Sequence, residues 1–178
     1  MNSINQQQEE NNHKDISGSD AIKKIKELAE KAGTCFFCTS LQNPGPFQVR
    51  PMSLQKADEN GNLWFLAAMD SHLVMQVKEN AEVQLLFQGS AHSDLLNITG
   101  TASVSQDKAM IKELWEPLVK TWFTGGEDDP RIAVIQVKIK EGYYWDNKHG
   151  NAVAFIKMAI GAASGKTMDD SIEGKVVV

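Results

Sequence analysis

Cysteine is nearly absent, at two of 178 residues, which excludes a disulfide-stapled secreted scaffold, a class dense in cysteine. No apolar run approaches the roughly 20 residues that a helix needs to span a bilayer. The opening stretch MNSINQQQEENNHKD has neither an apolar core nor a cleavage site, so no export is expected and the expected location is cytoplasmic, away from membranes. Excess positive charge is missing too. Eighteen Lys and Arg stand against 23 Asp and Glu, a net charge of −5, and the lysines are scattered, which argues against a nucleic-acid surface. Also absent are G-x-S-x-G, a P-loop and G-x-G-x-x-G, so serine hydrolase, phosphoryl-transfer and classical dinucleotide chemistry have no support. The four histidines, His13, His72, His92 and His149, share no paired spacing, and no metal centre is expected.

What is present is an ordinary globular composition, 42% hydrophobic and 23% charged, sized for one domain. Residues 1–19 are polar and Gln/Asn/Glu-rich, a composition that buries too little apolar surface to offset ordering entropy, and read as a disordered tail; residues 20–178 form the single domain. Ser19 or Asp20 can cap a first helix in which Ile22, Ile25, Leu28 and Ala29 recur at helical spacing and Gly33 supplies the stop. Its lysines, Lys23, Lys24 and Lys26, read as a solvated face. Residues 34–41 read as a buried strand, whose three-residue offset puts Cys35 and Cys38 on opposite faces, as core thiols rather than a redox pair.

Two further strands, residues 47–54 and 62–68, flank Asp58-Glu59-Asn60-Gly61, and an Asn-Gly turn between β-rich runs predicts that they pair as a hairpin. A Met-Asp-Ser-His corner at 69–72 then opens a short helix. Strands follow at 83–87 and 95–104, with Gly100 at a bulge or close approach. A helix capped by Asp107 is interrupted at Pro117. Strands at 132–139 and 143–145 and an apolar helix at 152–163 complete the chain. About six strands with short turns and no regular βαβ alternation predict a mainly β fold with flanking helices (α+β), closed as a small barrel. Glu127-Asp128-Asp129 reads as turn and cap residues.

Arg50 lies in an otherwise uncharged strand, and Asp70-Ser71 brings backbone N–H groups to a helix start; a fixed cation near such an end suits a phosphate. Arg50-Pro51-Met52, Leu63-Trp64-Phe65-Leu66 and Asp70-Ser71-His72 resemble the flavin-binding hairpin of the split-barrel flavoproteins related to pyridoxamine 5'-phosphate oxidase. Gly100-Thr101-Ala102, Glu113-Leu114-Trp115, Trp122-Phe123, Asp128-Asp129-Pro130-Arg131 and Tyr144-Trp145-Asp146 are similar to the bacterial general stress protein branch.

The resemblance implies an FMN-binding split β-barrel, a homodimer with the flavin between subunits, and an unidentified small-molecule substrate. On that pattern Arg50, Pro51, Met52 and Ser53, with Trp64, Phe65, Leu66 and Ala67, offer backbone groups and edges to the ring. Ser71 and His72 approach the phosphate, and Trp115 and Trp145 border the ring from the partner chain. Leu73 stands where the family commonly has a phosphate-pairing lysine, a loss of about 1.5–3 kcal/mol unless Arg50, His72 and the helix N-terminus compensate. Gln55 takes the place of the oxidase's strand lysine, which argues against pyridoxamine phosphate oxidation. The function implied is that of an FMN-binding general stress protein, with flavin-dependent oxidoreductase activity on an unknown substrate left open. The alternatives are a non-catalytic module that binds or senses flavin under stress, and a related enzyme using a deazaflavin or haem.

Overall fold

The computed structural model describes residues 12–42, 45–91, 93–150, 153–154, 156–157, 159–160 and 170–178. Its elements, in chain order, are β1 (Ile16–Ser17), α1 (Gly18–Ala32), β2 (Thr34–Thr39), β3 (Gln48–Ser53), β4 (Lys56–Ala57), β5 (Asn62–Ala68), α2 (His72–Glu79), β6 (Glu82–Gln88), β7 (Leu95–Ser105), α3 (Lys108–Leu114), β8 (Ile132–Asn147) and β9 (Ser171–Val177). Two 3-10 turns, Pro117–Thr121 and Gly126–Asp128, lie between α3 and β8.

Helix α1 begins earlier than the capping signals suggest. Ser17 is the N-cap and makes no side-chain cap bond, while Gly33 ends the helix as expected, at φ 65 with its N–H on Ala29 O. A left-handed residue there costs glycine nothing. Ala21, Ile25, Leu28 and Ala29 are buried. The lysine face is not wholly solvated, because Lys24 bridges Glu27 and the largely buried Asp146, both at 2.9 Å.

The expected hairpin is the main correction. The Asn-Gly turn forms, with the Asp58 carboxylate accepting from the N–H groups of Asn60 and Asn62 at 2.9 Å, but it joins β5 only to the two residues of β4. β3 pairs instead with β2 along its whole length, Thr34 facing Ser53 and Thr39 facing Gln48. Between β3 and β4 the chain bends, Leu54 N–H bonding Gly33 O and Gln55 N–H bonding Trp64 O, each at 2.9 Å. One bent strand therefore changes neighbour at Leu54–Gln55. That bend closes a ring of antiparallel ladders, β2 to β3/β4, to β5, β8, β7, β6 and back to β2.

Strand β8 holds the split. One edge pairs with β7 from Val134 to Trp145; the other pairs with β5 at Ile132 to Lys138 and with β9 at Glu141 to Asn147. The barrel ends where β5 does, and β9 with β1 continues the sheet beyond it. A bulge at Thr99/Gly100 lets β7 follow both halves; a Cβ on Gly100 would stand 2.5 Å from Lys138 O, so glycine is required for the close approach. β9 and β1 have no counterpart in the sequence reading. Residues 12–19, expected as part of a disordered tail over 1–19, are structured, and 1–11 lie outside the described residues. The late helix expected over 152–163 falls partly outside them; 153–154, 156–157 and 159–160 are helical.

Phe37 and Phe65, both fully buried, meet edge to face at 5.4 Å in the barrel core. Each such side chain contributes about 1.5–3 kcal/mol of burial. A second cluster lies outside the barrel wall, where Ile111, Leu114, Val119, Phe123, Ile132 and Val134 pack with Trp64, Leu66 and Trp115. Both cysteines are buried and free; burial pushes the Cys35 thiol up to about 12 and raises that of Cys38, which suits core thiols. Among the described residues no helix is long and apolar enough to cross a membrane.

Candidate functional site

Where β3 and β5 part, a cleft opens. No ladder joins these strands among the described residues, and Pro51 has no N–H to offer the free edge. The cavity between them is about 570 Å³. Pro51, Met52, Ser53 and Gln55 line it from β3 and the bend, Leu66, Ala67 and Ala68 from β5, and Val119, Trp122 and Phe123 from the 3-10 segment that roofs it, with Arg131 at the start of β8.

Strand alternation decides which side chains point where. Leu63, Phe65 and Ala67 face the barrel core, whereas Trp64, Leu66 and Ala68 face the second cluster. Trp64 Nε1 donates to Asp58 at 2.9 Å, so the turn carboxylate holds both the turn and the indole. Arg50 lies opposite Phe37 and therefore points to the inner side, where its Nη2 donates to Gln76 of α2 at 2.7 Å. Its Nη1 is buried without a partner, no carboxylate is paired with it among the described residues, and desolvation lowers its pKa. A half-buried cation without a counter-ion is a ready seat for an anion.

The Ser71 corner continues the cleft. Ala68 lines the cavity, and the next residue, Met69, donates its N–H to Arg131 O at 2.7 Å. Ser71 caps α2, its Oγ accepting from Val74 N–H at 3.3 Å, and His72 is exposed. Leu73 is buried, 3% exposed, in the barrel core. It is a packing residue rather than a cleft residue.

Of the thirteen residues marked in the sequence, Pro51, Met52, Ser53, Leu66 and Ala67 meet in the cavity. Arg50, Ser71 and His72 lie beside it, and Phe65 and Leu73 are core. Trp64 and Trp115 pack, partly buried, against the second cluster of their own chain. Trp145 is 39% exposed on the outer face, its ring 4.7 Å from that of Tyr143.

The sequence reading left out Gln55, Ala68, Val119, Trp122, Phe123 and Arg131 as lining groups. Arg131 is held by Asp129, Nε to Oδ1 at 3.0 Å and Nη2 to Oδ2 at 2.7 Å, and these bonds hold the Asp129 carboxyl well below the usual carboxylate range. The spacing Asp-x-Arg carried that signal, though a loop so rich in carboxylates masked it.

A sequence model of the family described as "Pyridoxamine 5'-phosphate oxidase like" matches residues 20–169. This chain belongs to that family. Solved structures share the fold: a protein described as general stress protein 26 from Jannaschia sp. superposes with a TM-score of 0.76 at 21% identity, over 90% of this chain and 100% of that one. A general stress FMN/FAD binding protein from Xanthomonas citri gives 0.60 at 24% identity, over 70% of this chain and 87% of that one. Protein bli-3 of Neurospora crassa is 29% identical over 104 residues, 53% of this chain and 50% of that protein, so this chain spans about half the length of that relative. These relatives make the architecture a split β-barrel of the pyridoxamine 5'-phosphate oxidase like family.

The residues present fit a flavin at this cleft. A slot between two unpaired strand edges suits a flat ring with polar edges, and Arg50 and the N-terminus of α2 suit a phosphate.

Proposed function

We propose that the chain binds FMN in the cleft between β3 and β5 and serves as a flavin-dependent oxidoreductase on a substrate yet to be identified. The observation that carries this reading is the cavity itself, opened by the change of neighbour at Leu54–Gln55 and lined by Pro51 to Ser53 and Leu66 to Ala68. Arg50, Ser71 and His72 would hold the phosphate end, and the strand edges would orient the ring. The flavin supplies the redox chemistry when bound, and the protein supplies position, exclusion of water and electrostatics.

The same wall supports a second reading. Among its lining residues there is no His, Asp, Glu, Lys, Cys or Tyr, so no side chain of ordinary proton-transfer range faces the cavity. That composition suits a non-catalytic module that binds or senses flavin under stress; of its structural neighbours, the Xanthomonas citri protein is described as a general stress FMN/FAD binding protein. A homodimer accords with both readings. Phe36, Val49 and Leu86 are 56%, 47% and 38% exposed on the outer face, with Leu86, Phe36 and Pro51 side by side across three strands. Trp145 shares that outer surface and is the aromatic available to a partner.

The test is direct. Purified protein should show flavin absorbance and release FMN on denaturation, and turnover with reduced nicotinamide and an acceptor should separate enzyme from module. Riboflavin, which lacks the phosphate, should bind more weakly than FMN, and Arg50→Ala should bring FMN down toward riboflavin. Colourless protein with no FMN affinity would overturn the reading; a deazaflavin or haem spectrum would replace the cofactor.

A further inference from the structure

The cavity is neutral. Arg131 is the one ionisable side chain on its wall, and two of its nitrogens are committed to the buried carboxylate of Asp129. Thr34 and Ser53 also line it, and Pro51, Met52, Leu66, Val119, Trp122 and Phe123 make the surface mainly apolar. One polar atom stands out against that background. Gln55 Nε2 donates to Ser53 O at 3.2 Å, and Oε1 is buried with no hydrogen-bond partner. An amide oxygen has two acceptor sites, and leaving both empty away from water is a cost carried by the free protein. A rotation of the side chain that brings this oxygen to the cavity is repaid by any donor it meets there.

We infer that the cavity takes an uncharged, planar ligand that presents an N–H or O–H to Gln55 Oε1, and that it turns away carboxylates and phosphates. The slot between parted strands and the aromatic roof of Trp122 and Phe123 set the flat shape. Charge is disfavoured because the one cation on the wall, Arg131, already has its charge matched by Asp129, and a buried unpaired charge is disfavoured far more than a neutral donor. The donor has two sources. On the reading of this cavity as the flavin cleft, it is the imide N–H of the ring; alternatively it belongs to a phenol-like or amide-like substrate bound beside the flavin. The anionic phosphate of FMN does not conflict with this, because Arg50 points to the inner side rather than into the cavity.

The experiment uses matched pairs on the full chain, by calorimetric titration. Flavin-stripped protein is titrated with riboflavin and with 3-methylriboflavin, which differ in the imide N–H. Flavin-loaded and stripped protein are each titrated with 4-methylphenol, 4-methylanisole and 4-methylbenzoate. In at least one pair the donor-bearing member should bind about tenfold more tightly than its methylated twin, the size expected when a buried acceptor is left unpaired. Gln55→Leu should erase that preference without lowering the melting temperature, since it removes an unpaired polar atom. A preference in the riboflavin pair assigns the donor to the flavin, and one in the phenol pair assigns it to a substrate. Equal affinities within both pairs, a benzoate as tight as the phenol, or a preference that survives Gln55→Leu would overturn the inference. Should no flavin bind at all, the phenol pair on the stripped protein still decides the ligand class, while the flavin reading alone falls.

Discussion

Leu73 shows how one residue changes meaning between sequence and structure. Read by position, it is a missing lysine, and restoring that lysine should tighten FMN. Read by environment it is 3% exposed beside Val74 and Val77 in the core. Leu73→Ala should therefore cost about 2–5 kcal/mol in urea unfolding, and Leu73→Lys at least as much, because an ammonium must be buried or withdrawn. Tighter FMN binding in Leu73→Lys at unchanged stability would show that the side chain can turn to the cleft. Asp129 carries a pH dependence of defined sign. Its carboxyl is lowered first by the Arg131 side chain and then by the Arg131 N–H. The stabilisation is thus complete above the unfolded carboxyl value of about 3.9 and fades as pH falls below it. Asp129→Asn should be less stable than the parent at pH 7, and the gap should narrow in unfolding curves taken from pH 5 down to pH 2. A gap that stays constant would mean the pair contributes nothing through its charge. The same variant frees Arg131, and 4-methylbenzoate should then enter a cavity that otherwise refuses it.

At the scale of elements, local chemistry was legible and choice of neighbour was not. Gly33 as a helix stop, Asp107 as a cap that accepts from Ala109 and Met110 N–H, Gly100 at a close approach and the turn at Asp58–Gly61 all depend on a few adjacent residues, and all appear where the sequence puts them. The length of the β4–β5 ladder depends on Leu54 reaching Gly33 O, a partner twenty-one positions away, and no local pattern encodes that bond. Pro51 did carry a warning: a proline inside a strand faces a free edge, so β3 could not have paired with β5 there. Strand β9 was missed for a related reason. Ser171–Val177 is short and interrupted by Gly174, and it makes sense only with the N-terminal segment laid against it. A Cβ on Gly174 would stand 2.0 Å from Lys14 O, the same carbonyl that accepts from Tyr144 Oη at 2.9 Å. Gly174→Ala should therefore expel residues 13–17 while leaving the barrel closed. Amide exchange checks this, with Lys14 N–H, bonded to Glu173 O at 2.8 Å, losing protection as Phe65 and Leu85 keep theirs. Retained protection at Lys14 would show that the crossing can widen.

For the whole molecule, the cleft explains why a barrel of this size would work in pairs. Barrel closure buries Phe37 and Phe65 on the inner face but leaves the outer face of β2, β3 and β6 with Phe36, Val49 and Leu86 exposed to water, beside a cavity whose neutral wall gives a flavin few charges to hold it. A second copy across that face would cover the apolar row and bring its own Trp145 toward the same surface. Both needs are then met by one contact, and affinity for flavin becomes linked to association, since a ligand bound between chains stabilises only the assembled state. Phe36→Glu tests the link. The substitution puts a carboxylate at the centre of the Leu86–Phe36–Pro51 row; Phe36 points outward and does not line the cavity, although its cross-strand neighbour Pro51 does. Sedimentation should give a dimer for the parent and a monomer for Phe36→Glu at the same concentration, with flavin affinity falling at least tenfold and recovering in part as protein is raised. A monomeric parent would remove the dimer from the account. A monomeric Phe36→Glu that holds flavin as tightly as the parent would place the whole site within one chain, and the roof of Val119, Trp122 and Phe123 would then be the structure that keeps water from the ring.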